Sequence, residues 1–465
     1  MEGESVRLTL GIDIACRAAH RASLADARGE FLWVAKAFRT SVADLEALWA
    51  AMPDEAEVTV IMEPTRNAWV PLAAWFRRRG ARVVLVPPER SADLRAYYAK
   101  HTKSDQLDSR LLARLPLLHP EGLHPEHGLG PGEPLRRATK LHSTLVHRRS
   151  QALARLDALL EIMGPGWHAA LGGDLAAMTV LRFLAAGYAD PDVVRRLGRA
   201  RLTRFLYRHS RGMWGEARAG DLLAVAAETA ALWDDGLDHP ALAEDIALEA
   251  RMALTLSAEI KELDERIIVL VDEADPSGIV RSAPGVGPIT GAAILGRLGD
   301  PARFSSLAGV RAFSGLVPRL DASGLSGQHG GPTKRGDAVL REALYMAADH
   351  ARRIDPTLAA RYHRLMTESG KHHVSALCHI APTLLTRIVA CWRQGERYVL
   401  RDVDGRIVDV AEARTIIAAR YTVPATVRAR GRTVGGNRTG RRSEGSRSAP
   451  SPSPSLAHAS TVVMA

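Results

Sequence analysis

Four carboxylates in the first 110 residues have the types and order that a metal-dependent nuclease needs. Asp13 ends the run RLTLGID at 7–13, and Glu63 ends EVTVIME at 57–63. Asp105 and Asp108 lie in KSDQLDSRLLARL, three residues apart, so a helix there presents both on one face. Cleavage or transesterification of a phosphodiester uses hard oxygen ligands to hold two Mg²⁺ ions about 3.5–4 Å apart. Two carboxylates at strand ends and two on a helix crossing that edge can build such a site. Taken alone, Asp105 and Asp108 also fit a solvated helix face shared with Arg110 and Arg114.

A second set of residues could supply a nucleophile. FSGLVPRLDASGLSGQHGGPTKRGDAVLREAL at 313–344 is a glycine-dense, serine-bearing loop that runs into a helix. Ser323, between Ala322 and Gly324, is the first choice as nucleophile and Ser326 the second. Lys334, Arg335 and Arg341 would surround a phosphate in this loop. Upstream, PGVGP at 284–288 followed by an apolar helix resembles the turn of a helix-hairpin-helix element. Gly285 and Gly287 would let backbone N–H groups approach a phosphate there. A glycine-rich turn between packed helices and a plain Ser/Gly surface loop would read the same way.

The elements that must position the carboxylates follow from periodicity. Residues 7–13 alternate like a strand, 21–38 reads as a hairpin turning at Asp26 to Gly29, and 57–63 is a β-branched strand. Ser41 to Met52 and Asn67 to Gly80 have helical spacing, and ARVVLVPP at 81–88 is a further strand stopped by prolines. Three strands, helix, strand, helix, strand, helix predicts an α/β domain of the RNase H type over 1–118. Residues 119–278 read as a linker and a helical region. There Leu153, Leu156, Leu160 and Met163, and Leu256, Ile260, Leu263, Ile267 and Leu270, form heptad-like seams of a coiled-coil hairpin or dimer contact, or of two core-facing bundle helices. Residues 279–423 form a second compact, mainly helical unit, and 424–465 collapses to Arg, Gly, Ser and Pro, as disordered segments do.

Composition sets the class. The chain has 465 residues, enough for two or three domains, with 46% hydrophobic and 25% charged residues. Aromatics at 5% argue against a binder that grips single strands mainly by stacking. The net charge is +10, but from Pro424 onward seven arginines face one glutamate. That leaves only +4 for the preceding 423 residues, so local patches must carry any nucleic-acid argument. One such patch is Arg195, Arg196, Arg199, Arg201, Arg204, Arg208 and Arg211, which crowd 17 residues and also fit a solvated basic face. Cys16, Cys378 and Cys391 have no zinc or redox spacing and read as small buried hydrophobes. No uncharged apolar run reaches the ~18 residues of a membrane span, and no signal peptide opens the chain, so cytoplasm is the expected compartment.

Together, GIDIA, VIMEPT and KSDQLDSRLLA resemble the DEDD domain of the insertion-sequence-110 family of transposases. SAPGVGPITGAAILGRLGD, FSGLVP, ASG and TKRGDAVLREAL resemble that family's C-terminal transposase domain. The resemblance covers roughly 8–115 and 279–400. It implies a RuvC-like fold with Asp13, Glu63, Asp105 and Asp108 as the metal tetrad, and Ser323 as the residue that links covalently to DNA. It also implies donor and target DNA as partners and an element-encoded guide RNA that pairs with both, for which the arginines between 195 and 211 are contact candidates. The heptad seams add the expectation of a homo-oligomer, dimer or tetramer. One departure is the loop sequence DASG, where many relatives carry a doubled serine. Two other readings compete: a junction resolvase using the tetrad with water, which leaves 280–345 unexplained, and a decayed nucleic-acid scaffold, which the intact carboxylate set argues against.

Overall fold

The computed structural model describes residues 6–54, 56–86, 105–120, 123, 132–234, 236–323, 326–334 and 336–428, with 105–106 and 318–332 described by their backbone. The chain divides into two compact units, Met1–Gly130 and Pro131–Ala465.

In the first unit, β1 (Arg7–Asp13), β2 (His20–Asp26) and β3 (Phe31–Phe38) form an antiparallel meander. Helix α1 (Val42–Ala50) follows, its N-terminus capped by Ser41, whose side chain accepts from Asp44 N–H. Then come β4 (Glu57–Met62), α2 (Trp69–Arg78) and β5 (Arg82–Leu85). The five strands form one mixed sheet in the order β3-β2-β1-β4-β5, with β4 parallel to both β1 and β5. Its two faces are filled differently. Leu8, Leu10, Ile12, Val60 and Met62 pack with Leu45, Leu48, Leu72 and Phe76 of α1 and α2. Ile61 and Val84, on the other face, pack with Leu112 and Leu115 of α3 (Asp105–Leu118).

The second unit is built on two long helices, α4 (Glu133–Met163) and α9 (His239–Ala274). Arg155 pairs with Glu249 at 2.6 Å and His142 with Asp264 at 3.0 Å, so the two run antiparallel. Leu156, Leu160, Met163, Leu263 and Ile267 of the expected seams are buried, whereas Leu153, Leu256, Ile260 and Leu270 are half-buried. At one end of the pair, α5 (Gly166–Ala170), α6 (Met178–Ala185), α7 (Pro191–His209) and α8 (Glu216–Trp233) enclose a core centred on Trp167, Phe183, Leu202 and Leu206.

At the other end, Leu263, Ile267 and Val271 join a second core. It includes α10 (Pro288–Leu298), α11 (Leu307–Ser314), α12 (Ala338–Ala351), α13 (Pro356–Thr367) and α14 (His373–Gln394). Strands β6 (Pro318–Ser323) and β7 (Ser326–Pro332) form an antiparallel hairpin between α11 and α12, and α15 (Val410–Arg420) follows. Among the described residues α14 alone is long and apolar enough to cross a membrane, and its Ala376, Leu377, Ile380, Leu384 and Ile388 are spent on the core. Val423 is buried and Val427 packs on the same core, so the packed chain runs a few residues past the boundary expected at 424. The expectation of disorder for 429–465 lies outside the described residues.

Candidate active site

Asp13 and Glu63 are brought side by side by strand pairing. β1 and β4 are parallel and in register through Ile12 opposite Met62, and the next residue on each chain is the carboxylate. Adjacent strands lie about 4.8 Å apart. Side chains alternate along a strand, so Asp13 shares a face with Gly11 and Glu63 with Ile61. That is the face covered by α3: Ile61 packs on Leu112 and Leu115, and Gly11 lies directly under the helix backbone. A Cβ at Gly11 would fall 2.3 Å from Ser109 O and 2.2 Å from Ala113 N. Glycine is required there because any side chain would push α3 off the sheet.

The direction of α3 places its acidic turn. Arg114 Nε donates to Gly29 O at 2.9 Å, and Leu117 abuts Gly29, in the β2–β3 turn beside the start of β1. Ser109, one and a half turns earlier, sits over Gly11 and shares a buried hydrogen bond of 2.9 Å with Ser23 on β2. The helix thus runs opposite to β1, and its first turn, opened by Asp105 and containing Asp108, points towards the strand end that carries Asp13. Asp13, Glu63 and Asp108 are each half-buried. The side chain of Asp105 lies outside the described residues. Among the described residues no three His, Cys, Asp or Glu side chains stand close enough together to hold one ion. The donor set that shares this edge is all carboxylate, which suits a hard divalent cation in kind.

His20 was not picked out from sequence, yet it shapes this edge. Ala15 N–H, two residues beyond Asp13, donates to its Nδ1 at 3.1 Å, and Nε2 lies 2.8 Å from Thr40 Oγ1. The neutral ring carrying its proton on Nε2 satisfies both contacts. Burial holds the pKa of His20 below the ordinary histidine value.

The serine segment, expected as a loop, is a β-hairpin with Ser323 and Ser326 as the last backbone pair before its tip. Its base is stapled. Thr333 N–H donates to Val317 O at 2.9 Å, Lys334 N–H to Gly315 O at 3.1 Å and Asp337 N–H to Phe313 O at 3.2 Å. Arg341 donates to Ser314 O and Lys334 O, and buried Arg297 pairs with Asp337 at 3.3 Å. Six strand residues separate that base from the tip, a span of about 20 Å. Lys334 is exposed with φ +55°, whereas Arg335 lies outside the described residues.

Gly285 and Gly287 part company. A Cβ at Gly285 would meet Ala347 O of α12 at 2.4 Å, and its φ is +78°, so helix packing is reason enough for glycine there. Gly287, the N-cap residue of α10, has open space where its side chain would be. Cys16 is exposed, and Cys378 and Cys391 are half-buried.

Comparison with known proteins agrees with this arrangement in both units. Residues 277–363 match the family described as Transposase IS116/IS110/IS902, and residues 10–165 match a family described as Transposase, of the DEDD type of IS110. The chain belongs to the IS110/IS116/IS902 transposase family. The IS116 protein of 44.8 kDa from Streptomyces clavuligerus is 27% identical over 378 residues, 81% of this chain and 92% of its own. The IS900 protein of 42 kDa from Mycobacterium paratuberculosis is also 27% identical, over 76% of this chain and 88% of its own. The IS110 protein of 43.6 kDa from Streptomyces coelicolor is 29% identical over 53% of this chain and 60% of its own. Membership of this transposase family implies DNA recombinase activity, with DNA as substrate and a divalent metal in the DEDD domain.

Proposed function

We propose that this transposase cuts and rejoins DNA with two sets of residues: a Mg²⁺ site in an RNase H-type, RuvC-like domain over 1–118, and a serine nucleophile in a C-terminal domain over 279–423. The helical region between them spans 119–278. The observation that carries the reading is the in-register pairing of β1 and β4 through Ile12 and Met62, which puts the next residues, Asp13 and Glu63, at neighbouring strand ends beneath a helix whose first turn holds Asp105 and Asp108.

In this reading Asp13, Glu63, Asp105 and Asp108 would hold two Mg²⁺ ions. Bound there, the ions would supply Lewis-acid activation of an attacking oxygen and charge stabilisation of a leaving one. Ser323 is the nucleophile. Its Oγ–P bond forms as a P–O bond to one sugar breaks, and the serine proton leaves with that sugar as a hydroxyl. Rejoining reverses the step with a hydroxyl of another strand. A position at a hairpin tip suits a nucleophile that must reach a phosphate in a duplex. Gly287, Lys334, Arg335 and Arg341 would contact the DNA backbone on the side of the hairpin base, about 20 Å from Ser323, with Gly285 fixing the turn before Gly287. An element-encoded guide RNA would choose the sites. A homo-oligomer would form through the coiled pair α4 and α9, where Leu141, Leu248 and Met252 remain exposed.

The test is substitution of the strand-end carboxylates. Asp13→Ala and Glu63→Ala should each lower strand cleavage roughly a thousandfold or more while nucleic-acid binding persists. An Asp13→Ala chain that recombines DNA at the parental rate would overturn the assignment.

A further inference from the structure

Helix α7 takes no part in the chemistry proposed above, but its surface is organised. The helix kinks at Gly198, whose φ is +74°, and continues to His209. Beyond the kink, Leu202 and Leu206 are buried in the core of the helical insert. Arg201, Arg204 and Arg208 lie on the opposite side, spaced three and four, and Arg211 continues the row just past the C-cap residue Ser210. Such spacing puts neighbouring residues about 5–6 Å apart on one stripe. All four arginines are exposed, and none has a carboxylate partner among the described residues. The two arginines of this run that do pair with acids are Arg195 with Asp192, before the kink, and Arg199 with Glu216, one residue past it.

Tyr207 lies on the same exposed side, 61% accessible. Gly212, in the turn that follows, lies against one edge of its ring, where an added Cβ would come within 3.4 Å. Met213, beside it, is 81% exposed. Arg182 of α6 adds to the local positive field. Burial, and then Arg182 and Arg208, hold His209 below its usual pKa.

We propose that this face is a docking surface for single-stranded polynucleotide, with successive phosphates on Arg201, Arg204, Arg208 and Arg211 and one base stacked on Tyr207. Arg201 also donates to Leu197 O at 2.9 Å and Arg196 O at 3.0 Å, which holds its guanidinium on the row. Cations in a row without carboxylate partners fit a polyanion. An exposed ring with one edge backed by the turn offers a platform that a base-paired duplex cannot use. The arginines carry most of the affinity, in keeping with the low aromatic content of the chain. Guanidinium groups and a ring read phosphate and base plane, so ribo- and deoxyribo-strands should bind alike. The inference does not depend on the catalytic reading: chains that fail to cleave DNA would still show it.

Fluorescence anisotropy on the full chain tests it, with labelled 20-nucleotide oligo(U), oligo(dT) and a 20-base-pair duplex between 50 and 300 mM KCl. The variant Arg201→Gln/Arg204→Gln/Arg208→Gln/Arg211→Gln alters only exposed side chains, and a circular-dichroism melt checks its fold. It should weaken both single strands at least tenfold at low salt and flatten the log–log salt slope by roughly 2–3, at about 0.7 per lost contact. Tyr207→Ala should weaken single strands roughly tenfold and leave the duplex nearly unchanged, with Tyr207→Phe restoring binding. Parental affinity and slope in the quadruple variant would overturn the surface. Equal loss for duplex and single strand in Tyr207→Ala would overturn its single-strand character.

Discussion

Ser109 Oγ and Ser23 Oγ lie 2.9 Å apart and fully buried, a hydrogen bond that ties α3 to the sheet it crosses between side chains 86 residues apart. Ser23 Oγ also accepts from Ala35 N–H at 3.0 Å, so the pair links three elements beside Gly11. Ser109→Ala should cost about 1–2 kcal/mol in urea unfolding. Gly11→Ala, which drives a methyl into the α3 backbone, should cost about 3 kcal/mol or more and also lower cleavage, because Asp108 moves with the helix. Gly11→Ala with unchanged stability would show that α3 does not rest on β1.

Asp105 and Asp108 separate a metal ligand from a solvated helix face. Asp105→Asn and Asp108→Asn should each cut strand cleavage by roughly a thousandfold, with thermal stability and DNA affinity held. A salt-dependent loss of only a few-fold is the outcome for a merely solvated pair, since exposed charges contribute little.

His20 makes the first unit sensitive to acid. Its folded pKa is depressed by burial, so the folded state binds the proton less readily than the unfolded chain, whose value is about 6.5. The stability it confers is present above that value and is lost as pH falls through the lower, folded one. Protonation would also set an Nδ1–H against Ala15 N–H. Urea unfolding of the parent should weaken from pH 8 to pH 5, and His20→Gln should shrink that difference. An identical pH dependence in the two proteins would remove His20 from the explanation.

The C-terminal edge can be set by truncation. Deleting 429–465 should leave folding and cleavage intact and flatten the salt dependence of non-specific DNA binding, because six arginines go. Deleting from 424 also removes Val427 from its packing and should lower the melting temperature by comparison. Equal melting temperatures would mean that Val427 contributes nothing to the core.

What could be read from sequence was whatever depends on local period. Alternation in RLTLGID and EVTVIM located both strand ends, and with them Asp13 and Glu63. The β6–β7 hairpin was read as a loop because PRLDAS and SGQHGGP contain no β-branched or aromatic residue and little alternation. The reason for Gly285 was hidden for a different cause: the backbone it packs against, at Ala347, lies 62 residues away. Ser23 and Ser109 were likewise invisible, since a single hydroxyl carries no sign of its distant partner. The seam at 256–270 was legible as a period but not as a burial pattern: Leu263 and Ile267 are enclosed while Leu256, Ile260 and Leu270 stay half-buried.

The most direct measurement is a denaturing gel of the protein incubated with Mg²⁺ and end-labelled DNA carrying the element's ends, together with whatever element-encoded RNA it needs. A serine attack leaves the chain covalently joined to a cut strand, so the parent should give a protein–DNA band that mass spectrometry maps to Ser323. Ser323→Ala should abolish the band and strand exchange while nucleic-acid binding persists. A band that survives in Ser323→Ala, or that maps to Ser326, would contradict the assignment of the nucleophile.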